Sequence, residues 1–406
     1  MVKIINFVYS NQGGAGTAVK RINQVLNSFS KSHIISLKGK SNENSTVLGY
    51  SDTYFLFLIF LSNLRHVFYK FLSKKYFKEY NYYNYSEKLN YFKTSKLLKK
   101  FPFTPDIIII HYCSHFINFK MIYEIQKLTK CKVIFNLLDT AFLTGGCHYS
   151  WDCRGFEFEC KNCQAIKLIN KKDESYKNFK AKQKYLKKIH SIVNVSSTFA
   201  LNQVNKSTLF KNHKKSLIYY PIPNLRLESE SSKKGKIIFL GTQDFNDKRK
   251  GIAYLIKAIE LFKESVGDSK FYKIQFRIAG NRKLPNTYKN FNYLGYLDEI
   301  KLAKEYIKAD LFICPSIEDN GPMMINEALT YGTPVVAFDM GISKDLIHEG
   351  NGYIAKNKDA VDLSEGIKKI IFSKHLSRQQ IITDSRNKLS YSVIKKKWKS
   401  LIYDII

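Results

Sequence analysis

Residues 315–328 read PSIEDNGPMMINEA. They follow LFIC at 311–314, which reads as a short buried strand. The end of a parallel strand is where open α/β sheets bind ligands. Pro322 suits the first position of a helix. Asp319 then sits on the loop and Glu327 one to two turns into the helix. Amides of Asn320 and Gly321 at such a helix start can receive a diphosphate, and Glu327 can accept hydrogen bonds from ribose hydroxyls. The simpler reading is that Glu318 and Asp319 only cap the helix.

The pattern repeats outward. Residues 3–8, 106–111 (DIIIIH), 132–137 (KVIFNL) and 191–194 (SIVN) are apolar runs that suit strands of a parallel sheet, buried on both faces. Residues 236–240 (KIIFL), 273–279 (KIQFRIA) and 334–338 (PVVAF) restart it. Helical patterns lie between them, such as 251–265, so the chain reads as α/β in two similar units. YYPIPN at 219–224 and the polar run 228–234 mark a linker. Residues 1–218 form a first Rossmann-like domain and 219–385 a second. Residues 386–406 form a final helix that packs back on the first domain. Residues 50–100 interrupt the first unit with an apolar run at 54–61 and a Lys/Tyr/Phe-rich stretch at 69–92. They read as helices packed on the domain, or as a segment for a lipid headgroup boundary.

The chain has 406 residues, 44% hydrophobic and 25% charged, which excludes a mostly disordered protein. Its net charge is +32, yet only nine of its 66 basic residues are Arg. Nucleic-acid readers lean on Arg for two-pronged contacts. The charge suits a polyanionic neighbour or a solvated Lys-rich surface, without choosing. No apolar run reaches the ~20 residues of a spanning helix. Met1 leads straight into strand-like residues, so the expectation is a cytoplasmic protein, with the inner membrane face as a place of contact. Seven Cys without an export signal argue against a disulfide framework.

Three further groups carry chemistry. Gly13, Gly14 and Gly16 follow the first strand, where glycines let backbone approach a phosphate or simply make a tight turn. Arg249 and Lys250 lie in a KRK run that could face a phosphate or just begin a solvated helix. Cys147, Cys153, Cys160 and Cys163, in the loop 144–164, are spaced C-x5-C-x6-C-x2-C. The last pair has zinc-ligand spacing, and His148 could replace one ligand. A structural zinc site, four reduced thiols and an adventitious pair all remain open.

Residues 318–355, EDNGPMMINEALTYGTPVVAFDMGISKDLIHEGNGYIA, resemble family 4 glycosyltransferases. They are similar to the branch that builds bacterial capsule, exopolysaccharide and lipopolysaccharide, and the Cys block is similar to that branch too. The resemblance implies a GT-B fold, with two Rossmann-like domains facing a central cleft. It implies a retaining, hexosyl-type transferase that takes a nucleotide-diphosphate sugar and acts on a glycan or lipid-linked saccharide. Asp319 and Glu327 would be catalytic. Gly13, Gly14, Gly16, Arg249, Lys250, Asn320, Gly321 and Glu327 would bind the donor. His111, His115 and Asp139, near strand ends of the first domain, would line the acceptor side. Catalysis would need no cofactor, a zinc ion would be structural only, and no specific nucleic acid is implied. Three positions depart from the pattern. Asp319 stands for the commoner Glu, Thr242 for the first of a basic pair, and Leu138 for a His that touches the donor sugar. Two alternatives stand beside this reading: a non-catalytic transferase-like scaffold at the membrane, which Thr242 and Leu138 favour and Asp319, Glu327 and Lys250 oppose, and another GT-B reaction such as nucleotide-sugar epimerisation or phosphorolysis, which shares the fold.

Overall fold

The computed structural model describes residues 1–49, 92–111, 114–166, 173–223, 235–281, 287–372 and 376–406, with isolated positions between 56 and 89 and at 284. Most of the interruption at 50–91 and most of the linker, 224–234, lie outside the described residues. The chain divides into two compact units. One comprises Met1–Ser196, Ala200–Ile218 and Lys395–Ile406; the other comprises Ser197–Phe199 and Tyr219–Ile394.

The first unit holds seven parallel strands. They are β1 (Lys3–Ser10), β2 (Lys31–Lys38), β3 (Ser45–Val47), β4 (Ile107–Ile110), β5 (Lys132–Leu137), β6 (Ser191–Val195) and β7 (Lys214–Leu217). Their order is β3-β2-β1-β4-β5-β6-β7. The second holds β8 (Lys236–Gly241), β9 (Ile274–Ala279), β10 (Phe291–Gly295), β11 (Leu311–Cys314), β12 (Val335–Phe338) and β13 (Gly352–Ala355), in the order β10-β9-β8-β11-β12-β13. Every apolar run expected to be a strand is one. The additional strands are β2, β3, β7, β10 and β13, and all but β2 are sheet edges. Edge strands are buried on fewer sides and carry a weaker apolar signal, as KKSL of β7 illustrates. In both sheets the order reverses at a central pair, β1/β4 and β8/β11. Loops leaving such a pair diverge and open a crevice at the strand ends.

Two local expectations are corrected. The glycines after β1 are not a loop but the first turn of the helix Gly13–Asn27. Gly16 is there for packing, because a Cβ on it would lie 2.3 Å from the Asn11 carbonyl carbon. The C-terminal tail is not one helix but two, Arg378–Leu389 and Tyr391–Tyr403, separated at Ser390. Trp398 and Ile402 of the last helix are buried.

A polar stripe crosses the apolar first sheet. Asn6 Nδ2 donates to Asn23 Oδ1 (3.1 Å) and to Ser32 Oγ (2.8 Å). Asn194 Nδ2 donates to Asn136 Oδ1 (2.6 Å), and Asn136 Nδ2 lies 2.9 Å from His111 Nδ1. An amide nitrogen can only donate, so His111 Nδ1 accepts and Nε2–H donates to Asn6 Oδ1, at 3.0 Å. His111 is thus a neutral, fully used core group just past β4. Burial lowers its pKa to about 3. The folded value lies below the ordinary one, so its contribution is complete above pH 6.5 and is lost as the pH falls. The unfolded chain takes up a proton there that the folded chain refuses, which costs about 2 kcal/mol by pH 5. Urea midpoints at pH 7 and pH 5 check this. Wild type should weaken more steeply than His111→Gln, and equal slopes would contradict the assignment.

Candidate active site

β8 and β11 are neighbours, so the loops that leave them share one edge of the second sheet. The loop after β8 tightens into a single 3-10 turn, Lys248–Lys250. Asp247 begins it by accepting the Arg249 amide at 3.1 Å. Gly251 ends it with a left-handed φ of 63°. The loop after β11 lies directly on this turn. The Arg249 carbonyl accepts the amides of Ile317 (2.8 Å) and Glu318 (3.4 Å). A Cβ on Gly251 would sit 1.9 Å from the Pro315 carbonyl oxygen. Only glycine lets the two loops meet in this way.

Their meeting pairs two charges 69 residues apart. Lys250 Nζ stands 2.8 Å from Asp319 Oδ2. Burial pushes the Asp319 carboxyl up, but the Lys250 ammonium and its hydrogen bond, with the Arg249 charge, hold it below the usual range. Burial likewise pulls the Lys250 ammonium down, and Asp319 more than restores it. Both groups stay charged at neutral pH. Asp319 Oδ1 accepts the Gly321 amide at 3.1 Å, which shapes the turn into the helix Met323–Thr330. Asn320 is buried there, and its Nδ2 has no hydrogen-bond partner among the described residues. The Arg249 guanidinium pairs with Asp247 while its charge still bears on Asp319 and Lys250.

Glu327 lies one turn into the same helix and is 5% exposed. Its Oε2 accepts from the Tyr306 hydroxyl at 3.1 Å. Tyr306 belongs to the helix Glu299–Lys308 and is wedged edge-on against Phe239 of β8 and Phe312 of β11. Arg378 ties this frame together, donating to the carbonyls of Tyr331 (2.9 Å) and Ala309 (2.6 Å). Sequence reasoning missed Tyr306 and Arg378. Both act across helices, and no spacing along the chain marks them.

Arg249, Lys250, Asp319, Asn320 and Gly321 are therefore brought together, and Glu327 stands on the helix they lead into. The remaining expected residues belong to the first unit. Gly13 and Gly14 are exposed at a helix start, and no atom stands within 4 Å of a Cβ placed on either. His111 is in the polar stripe. His115 has a left-handed φ of 63°. Asp139 is 8% exposed, with Oδ2 2.8 Å from His148 Nδ1 and Oδ1 accepting the Ala141 amide. The four loop cysteines are uncrosslinked. Of the departing positions, Thr242 gives its amide to Ala279, and Leu138 packs on Val8, Val19 and Ile34. The combination in the second unit is an ammonium fixed by a carboxylate beside backbone amides at a strand-end switch point. Its chemistry is that of an anion site, suited to phosphate.

The two parallel sheets share one strand order, and each unit is a Rossmann-like α/β fold of the kind found in GT-B glycosyltransferases. Anabaena Alr3699/HepE, solved in complex with UDP-glucose, shares this fold at a TM-score of 0.65 and 12% identity, covering 100% of each chain. Residues 226–388, most of the second unit, match the family model described as glycosyl transferases group 1. A putative teichuronic acid biosynthesis glycosyltransferase, TuaC of Bacillus subtilis, is 30% identical over 120 residues, 30% of this chain and 29% of that protein. An uncharacterized glycosyltransferase of Methanocaldococcus jannaschii is 27% identical over 146 residues, 33% of this chain and 35% of that protein. These matches span about a third of each relative's length.

Proposed function

We propose that this protein is a retaining glycosyltransferase that moves a hexosyl group from a nucleoside-diphosphate sugar to a glycan or lipid-linked saccharide, in cell-surface polysaccharide synthesis. The observation that carries the reading is the Lys250–Asp319 pair, at 2.8 Å, on the two loops that leave the switch point of a group 1 domain. The UDP-glucose bound by the fold neighbour and the polysaccharide role in the name of the Bacillus relative support the donor and the pathway class.

In this reading Lys250 and the amide of Asn320 hold the diphosphate, while the Gly321 amide, taken by Asp319, keeps the turn in shape. Charge grows on the leaving phosphate as the glycosidic bond breaks, and a fixed ammonium stabilises that charge more than it stabilises the ground state. Asp319 keeps Lys250 in place and borders the sugar. Glu327, oriented by Tyr306, receives the ribose hydroxyls. The acceptor hydroxyl attacks from the face that the diphosphate leaves, and the leaving phosphate oxygen takes its proton. No side chain then has to act as a general base. Residues 1–218 bind the acceptor. Among the described residues no helix is long and apolar enough to cross a membrane. Leu56, Phe57, Phe60, Leu61, Leu64 and Val67 are exposed at helical spacing, and with a net charge of +32 they suit an anionic lipid surface.

The test is a thermal-shift screen against UDP-, GDP-, ADP- and dTDP-sugars, with Glu327→Ala alongside. A ligand at 100 times its Kd adds about 2.7 kcal/mol to the folded state. One nucleotide class should raise the melting temperature of wild type and leave the variant unmoved. Equal shifts in both proteins would remove Glu327 from the site. No shift with any donor would favour a non-catalytic scaffold.

A further inference from the structure

The loop from β5 to the helix Glu174–Leu186 contains, among its described residues, only one turn of 3-10 helix, Gly155–Glu157. It carries Cys147, Cys153, Cys160 and Cys163, all uncrosslinked. Cys147 and Cys163 pack together on Tyr82, Ala165 and Ile166. Cys153 and Cys160 converge on Gly155, where an added Cβ would lie 3.4 Å from one sulfur and 3.7 Å from the other. The backbone turns amides onto the sulfurs. Gly145 N–H donates to Cys160 Sγ (3.2 Å) and Gly155 N–H to Cys153 Sγ (3.4 Å). The amides of Ala165 and Ile166 address Cys163.

The backbone is unusual over the same span. Trp151, Glu159, Cys160 and Asn162 all have positive φ, at 50°, 134°, 53° and 53°. Each such residue is strained and persists only where its surroundings over-determine it. The apolar cluster on which Cys147 and Cys163 pack has three fully buried members, Tyr82, Ala165 and Ile166.

We propose that Cys147, Cys153, Cys160 and Cys163 bind one soft divalent cation, zinc by preference, as a structural site of the first unit. Four sulfur donors with amide support suit a closed tetrahedral centre that leaves no open position for chemistry. As placed, the thiols stand as two pairs, and among the described residues no three His, Cys, Asp or Glu side chains form a finished cage. The ion would draw the pairs together by side-chain rotation. His148 is not needed, since its Nδ1 is engaged with Asp139.

The full chain, purified without chelator or added metal, should carry about one zinc per molecule by elemental mass spectrometry. Cys153→Ser and Cys163→Ser should each lose most of it, while Cys131→Ala, outside the loop, should keep it. Cobalt exchange should give the absorption of a tetrahedral thiolate site. Four thiols should resist a thiol reagent until a chelator is added. Metal well below stoichiometry with four freely reacting thiols would overturn the proposal, as would a Cys147–Cys163 disulfide found in the native chain. Metal content is read without a transfer assay, so this inference stands or falls apart from the proposed activity.

Discussion

Lys250→Ala is expected to leave a folded protein whose transfer rate is lower by about 10²–10³-fold, the usual cost of removing one preorganised charge from a leaving group. The argument rests on position. Lys250 projects from a turn locked by the Asp247 side chain and by two backbone bonds to the neighbouring loop. Its ammonium therefore need not be ordered when substrate arrives. The variant also leaves Asp319, 15% exposed, without its counter-ion. Its carboxyl should then titrate above the usual range, since burial is the largest influence on it. Lys250→Ala should lose about 2 kcal/mol of stability for this reason. Adding Asp319→Asn should return most of that stability and none of the rate. A kinetic assay with the nucleotide sugar found by the screen, with urea unfolding of both variants, checks each part. Transfer unchanged in Lys250→Ala would remove the ammonium from the mechanism.

Gly251→Ala should be the more damaging substitution for the fold, at about 3 kcal/mol or more, because two costs add. A non-glycine residue at a φ of 63° costs about 1–2 kcal/mol. The new methyl must also displace the Pro315 carbonyl, which occupies its place at 1.9 Å. That carbonyl belongs to the loop that carries Asp319, so transfer should fall together with stability. Gly251 also begins the helix Ile252–Val266, and Gly267, at the far end of that helix, is an internal control. Its φ is 76° and nothing lies within 4 Å of its absent Cβ. At φ 76° and ψ 157°, a region essentially reserved for glycine, Gly267→Ala should itself cost on the order of 1–3 kcal/mol, yet leave transfer intact because no loop of the site is displaced. Transfer that falls no further in Gly251→Ala than in Gly267→Ala would mean that the loops yield easily.

The sheets were legible because their inner strands are almost wholly apolar: IIII in β4, VVAF in β12. Runs of that kind have few homes outside a parallel sheet. The edge strands were not, since half-exposed sequences such as FNYLG of β10 look like loops. In the site, the spacing of Asp319 and Glu327 placed one on the loop and the other on the helix, where both stand. Their partners could not be read the same way. Asp319 meets Lys250 through the adjacency of β8 and β11, and Glu327 meets Tyr306 through the packing of two helices. By its place at a strand end, His111 suits a group facing the acceptor, yet it is buried in the polar stripe. A histidine that ends an Ile run gives no sign, in sequence, that asparagines from two other strands wait for it.

Those asparagines have a consequence for how the first sheet assembles. A strand made of four identical isoleucines has no inside and outside to tell apart. Slide it one residue and every face is still apolar, so hydrophobic burial cannot choose its alignment. The amides can. Asn6 lies opposite Ile109, one residue short of the last of β4, and Asn136 lies opposite Asn194. A slip at β4 would part His111 from Asn6 and Asn136 together. Each stranded polar group would cost about 1–3 kcal/mol in a dry interior. The stripe therefore acts as an alignment key, fixing the one pairing in which the strand ends, and the loops that leave them, come out level.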